Sequence, residues 1–112
     1  MNFWASWCAE CRLEKPAIAA AWDRYRDQRV VFLGISFQDT DTEAKAYATR
    51  NQVDWPLLAD PGSRTGLAYG VSGVPETLFI DSSGRLVSKH IGPVSYTLLT
   101  DRIAKLLQGS SP

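Results

Sequence analysis

Two cysteines occur in the 112-residue chain, Cys8 and Cys11, with Ala9 and Glu10 between them. Three chemistries are open to such a pair. A structural disulfide would stabilise little, because the chain-entropy gain grows with the length of the loop that is closed. A zinc site needs about four ligands, and beyond the two thiols there is one histidine, His90, far along the chain. Neither a metal nor another cofactor is therefore expected. The third chemistry is thiol–disulfide exchange, in which Cys8 attacks a disulfide and Cys11 resolves the mixed disulfide. Unpaired N–H groups and the dipole at a helix start favour a thiolate there. A C-x-x-C placed where a strand meets a helix in a β-α-β pattern is a redox signature. The carboxylate of Glu10 opposes a neighbouring thiolate, which points to a reductant or isomerase rather than a strong oxidant.

Such a pair needs a strand to deliver it and a helix to hold it. Residues 1–5 read as the tail of a strand. Residues 10–28 carry Leu13, Ile18, Ala21, Trp22 and Tyr25 at helical spacing, with a kink expected at Pro16. Residues 30–37 are a nearly continuous apolar run, as in a strand covered on both faces. Thr40 and Glu43 form a capping box for a helix running to about Asn51, with Ala44, Tyr47 and Ala48 inward. A short extended piece follows at 53–60, and a short helix at 63–69 is ended by Gly70.

Residues 77–81 and 85–91 read as a hairpin around Ser82, Ser83 and Gly84. Ser95 caps a last helix with Leu99, Ile103, Leu106 and Leu107 on one face. A β-α-β unit followed by a ββα unit makes an α/β fold, a mixed sheet with helices on both faces. Residues 1–112 are expected to form one domain, with 109–112 a frayed end. Twelve basic residues balance twelve acidic ones, which removes the broad basic surface that nucleic acid requires. No apolar run approaches the roughly 20 residues of a membrane span, and no signal-peptide pattern is expected in the opening residues.

The segment from Phe3 to Pro16 (FWASWCAECRLEKP) resembles the active-site segment of thioredoxin-like proteins, and more closely that of the bacterial TlpA/ResA/CcmG (DsbE) branch. The similarity continues through Val53-Asp54-Trp55-Pro56 and through Gly73-Val74-Pro75-Glu76-Thr77 to Gly92. It implies a thioredoxin fold with a four-stranded mixed sheet whose first strand is truncated at its N-terminus. It also implies that the bond before Pro75 is cis and faces the cysteines, presenting the backbone of Val74 to an extended substrate. Glu14 matches the acid of the branch's C-x-x-C-x-x-E pattern and would handle the proton of the buried thiol. Asn2 stands where ordinary thioredoxin has a buried aspartate, which leaves Glu14 as the proton acceptor. The Pro75-Glu76-Thr77 triplet leans toward the DsbE subgroup. Trp7, Val74, Pro75 and Glu76 are accordingly expected on the substrate side, whereas Trp4, Trp22 and Trp55 suit the core.

The leading expectation is a thiol–disulfide oxidoreductase that reduces protein disulfides, as in cytochrome c maturation. Its partners would be protein dithiols or disulfides, such as apocytochrome c or its maturation factors, with a membrane thiol reductase as electron donor. The resemblance also implies an extracytoplasmic location. A thiol peroxidase of the same fold is the rival, although such enzymes place a threonine where this chain has Ala5. A non-enzymatic chaperone or metal carrier is the third reading. A truncated central strand further predicts either lowered stability or pairing with a second copy in a homodimer.

Overall fold

A computed structural model describes residues 1–109. The chain enters at β1 (Asn2–Trp4) and turns through Cys8 into α1 (Ala9–Tyr25), which continues through Pro16 as one helix. There follow β2 (Gly34–Ser36), α2 (Asp41–Arg50), β3 (Leu57–Leu58), a 3-10 turn (Pro61–Ser63), α3 (Arg64–Ala68), β4 (Glu76–Ile80), β5 (Leu86–Ile91) and α4 (Tyr96–Leu107). The sheet order is β3-β2-β1-β4-β5. β1, β2 and β3 run parallel, while β4 is antiparallel to β1 and to β5. The sheet thus has five strands rather than four, because Leu57 and Leu58 pair with Gly34 and Ile35 at its edge. Of the expected frayed end, 110–112 lie outside the described residues.

Alternation along β1 sorts the layers. Asn2 and Trp4 point to the face carrying α1, α2 and α4, where Asn2 bonds Glu14 of α1 and Trp4 packs on Tyr47 of α2. The main core on this face joins Ile18, Ala21 and Tyr25 to Phe79, Leu99 and Ile103. Phe3 points the other way, into a cluster with Ile35, Phe37, Val71 and Leu78. There α3 lies close because Gly66 has no side chain: a Cβ would sit 2.6 Å from the Phe37 ring. Helices therefore cover both faces, and α4 follows its expected stripe except that Leu107 is exposed.

The strand expected at 30–37 is confined to Gly34–Ser36. The register explains this. Asn2 lies opposite Gly34 and donates its N–H to Leu33 O at 2.8 Å, so residues 30–32 lie beyond the end of both neighbouring strands and Val31 is exposed. A cleft of about 580 Å³ opens there between residues 30–33 and β4, floored by Ile18, Leu99 and Ile103. Met1 lies along it, its ammonium donating to Leu78 O at 2.8 Å. Burial lowers that ammonium from 8.0 to about 6. The capping box at α2 is half as expected. Thr40 Oγ1 accepts from Glu43 N–H, but the Thr40 N–H goes to Asp39 Oδ1 rather than to the Glu43 side chain.

Candidate active site

Cys8 and Cys11 form a disulfide with Cα atoms 5.3 Å apart. Both are 5% exposed, so burial does not distinguish them; position does. Cys8 is the N-cap of α1, with extended backbone, and its Sγ accepts the Cys11 N–H at 3.1 Å. That N–H, together with the helix dipole, is a donor already aimed at the sulfur that would carry negative charge after reduction. The turn ahead of Cys8 is tied down from the far end of β2. Ser6 gives its N–H and its hydroxyl to the Asp39 carboxylate at 2.7 and 3.0 Å, and Trp7 gives its indole N–H to Gln38 O at 2.9 Å. The Trp7 ring, 57% exposed, remains an apolar surface next to Cys8.

One turn beyond Cys11, Glu14 is 1% exposed. Its Oε2 accepts Asn2 Nδ2 at 2.9 Å and its Oε1 accepts the Val94 N–H at 3.3 Å. Asn2 is held in turn by Thr77 Oγ1 at 3.1 Å. Burial raises the carboxyl from 4.5 to about 7, against the downward pull of the Asn2 and Val94 hydrogen bonds. An acid that titrates near neutrality on the helix carrying a dithiol can exchange protons in either direction. Asn2 marks a departure from ordinary thioredoxin in the sequence; in the fold its side-chain amide ties β1 to Glu14 on α1 and to Thr77 on β4.

The Val74–Pro75 bond is cis. Val74 packs on the cluster of Trp4, Ala5, Cys8 and Cys11, which brings the β4 approach to the disulfide. Glu76 does not reach the substrate side. It is 2% exposed; Oε2 accepts the N–H groups of Ser72 and Gly73, and Oε1 pairs with Lys89 Nζ at 2.7 Å. Lys89 also donates to Gly70 O at 3.0 Å. Glu76 is thus an anchor for the loop that carries Val74 and Pro75. Lys89 and Asp39 are missing from the sequence reading, because each acts from an element remote in the chain. His90 bonds Pro93 O and takes no part. Among the described residues no group of histidine, cysteine and carboxylate side chains is placed to hold a metal.

Known proteins are similar to this chain along most of its length. The thiol:disulfide interchange protein HelX of Rhodobacter capsulatus is 36% identical over 99% of this chain and 61% of its own length. A thiol:disulfide interchange protein DsbE homologue of Paracoccus denitrificans is 33% identical over 96% of this chain and 58% of its own length. The chain therefore spans about six tenths of the curated relatives it matches. A solved thiol:disulfide interchange protein of the thioredoxin family from Chlorobium tepidum superposes with a TM-score of 0.82 at 26% identity, over 95% of this chain and 77% of that one. The fold is thioredoxin-like. Residues 1–89, from β1 through the cysteines and the cis proline into β5, match the AhpC/TSA family, and the chain belongs to that thioredoxin-like family.

Proposed function

We propose that the chain is a thiol–disulfide oxidoreductase that reduces protein disulfides. The observation that carries this is the disulfide at the start of α1, with Cys8 as N-cap under the Cys11 N–H and Glu14 buried one turn behind. The names of the relatives support it. In the reduced protein the Cys8 thiolate attacks one sulfur of a substrate disulfide, and the other sulfur leaves as a thiolate and takes up a proton. Glu14 accepts the proton of Cys11, whose sulfur attacks Cys8 Sγ and releases the second substrate thiol. Two electrons pass to the substrate and the Cys8–Cys11 disulfide remains. A dithiol donor, a membrane thiol reductase by resemblance, resets the pair by the same exchange in reverse.

Trp7 and the backbone at Val74 and Pro75 form the docking surface for an extended substrate strand. Resemblance to the DsbE subgroup makes apocytochrome c or its maturation factors the substrates, outside the cytoplasm; among the described residues no helix is long and apolar enough to cross a membrane. Residues 1–109 act as one unit in this reading.

Cys11→Ser should accumulate a mixed disulfide through Cys8 with an oxidised protein such as insulin, and Cys8→Ser should not. Failure to trap any protein disulfide overturns the proposal. The peroxidase reading lacks support at Ala5, which is fully buried and has no hydroxyl to offer a peroxide. Turnover of hydrogen peroxide would reverse that ranking.

A further inference from the structure

Among the described residues the indole N–H of Trp4 has no acceptor, although the side chain is only 7% exposed. An unpaired buried donor costs about 1–3 kcal/mol. Trp4 lines a crevice of about 20 Å³ with Asn2, Cys11, Glu14, Tyr47 and Trp55. Gly34 makes the room: a Cβ there would lie 3.3 Å from Trp4 Nε1 and 3.4 Å from Trp55 Nε1. Two indole nitrogens thus converge above one glycine. Ile18 and Leu57 add apolar walls, and the half-buried Lys15 and Val53 take the crevice toward the surface. A space of that size accommodates one water, which needs two to four polar partners. The indole N–H supplies a donor. The Glu14 oxygens supply acceptors, since each takes one protein hydrogen bond and has a lone pair to spare.

We propose that Trp4 is a positioning residue, whose indole N–H holds one water against the Glu14 carboxyl as the link between that acid and solvent. The proton leaving Cys11 Sγ passes to a Glu14 oxygen and then through this water to bulk, so the carboxylate is regenerated and no charge accumulates. This rests on the proposed role of Glu14 in the exchange reaction. The other groups facing Glu14 are Cys11 and Lys15 on its own helix, Asn2 on β1, Thr77 on β4, the Val94 N–H, and Tyr47 on α2 under the Arg12 guanidinium. Among the described residues only the Asn2 amide and the Val94 N–H donate to the carboxyl, which leaves its remaining lone pairs to the water.

The test is the titration of Glu14, followed by NMR of the side-chain carboxyl carbon in oxidised wild type and oxidised Trp4→Phe. Phenylalanine keeps an apolar ring and removes the donor. Without the water's hydrogen bond the ionised carboxylate is less favoured, and its midpoint should rise by about one pH unit. An unchanged midpoint overturns the proposal. Should Trp4→Phe not fold, wild type decides alone. A rotating-frame cross-peak between the Trp4 indole proton and a long-lived water supports the proposal, and its absence overturns it. Both readouts use oxidised protein without substrate, so their failure is distinct from a failure to trap a mixed disulfide.

Discussion

Replacing Glu14 by glutamine tests the physical basis of the site without any substrate. Burial lifts the Glu14 carboxyl from 4.5 to about 7. Its folded value therefore lies above its unfolded value, and between those pH values the native state keeps a proton that the unfolded chain has released. Stability must fall as pH rises through that window. Each pH unit of displacement corresponds to about 1.4 kcal/mol, so the ionised carboxylate lowers stability by about 3 kcal/mol above pH 7, and by nothing below 4.5. Glutamine reproduces the protonated acid: one oxygen still accepts from Asn2 or Val94, and the other position becomes a donor.

The variant should match wild type at pH 4 and exceed it by about 3 kcal/mol at pH 9. The Met1 ammonium contributes with the opposite sign. Its folded value, about 6, lies below 8.0, so its penalty is present below pH 6 and disappears as pH rises to 8. Because Met1 is common to both proteins, the difference between their urea-unfolding curves isolates Glu14. A difference that stays flat from pH 4 to 9, or a variant less stable than wild type at pH 9, refutes the argument. In exchange assays the same variant should resolve mixed disulfides about 10²-fold more slowly, while attack by Cys8 is spared.

Lys89→Met leaves the Glu76 carboxylate buried without its cation and should cost about 3 kcal/mol in urea unfolding; a loss below about 0.5 kcal/mol would show that the pair does not hold the loop before Pro75. Gly66→Ala drives a methyl into the Phe37 ring, which is rigid and itself buried. A loss of about 1–3 kcal/mol is expected, and an unchanged midpoint would mean that α3 packs less closely than described. Five apolar residues added ahead of Met1 would occupy the cleft beside β4 and remove the buried ammonium. At pH 6 the melting temperature should rise by about 10 °C or more, and no rise would show that the cleft does not take a strand.

Local signals in the sequence are legible where the physics is local. The caps at Thr40 and Ser95, the hairpin turn at Gly84 and the helix start at Cys8 all depend on neighbours within four residues, and the structure has each of them. The apolar run at 30–37 fails as a strand over its first half because hydrophobicity specifies burial, whereas a ladder needs a partner at the right register, and among the described residues none faces 30–32. Leu57 and Leu58 become a strand for the converse reason: they find a partner in β2, and Gly34, with no side chain, lets the Leu57 side chain pack directly against it. Glu76 is legible as important but not as to its part. Whether a carboxylate faces solvent or Lys89 depends on a residue 13 positions away across a β-hairpin.

The acid of the site shows what a single position can and cannot reveal. Read alone, Asn2 is the loss of a proton acceptor from β1, and Glu14 is an acidic residue on a helix that could equally face water. In the fold the two side chains meet at 2.9 Å, so a carboxylate on either would occupy the same space behind Cys11. Asparagine on the strand is then a requirement of glutamate on the helix. Two carboxylates there would repel, and an apolar residue would leave the Glu14 Oε2 without its donor. Thr77 extends the same logic to β4 by fixing which way the Asn2 amide points. The pKa near 7 follows from this arrangement: enough donors to keep a buried carboxyl from remaining protonated at all pH, and too few to return it to the ordinary range.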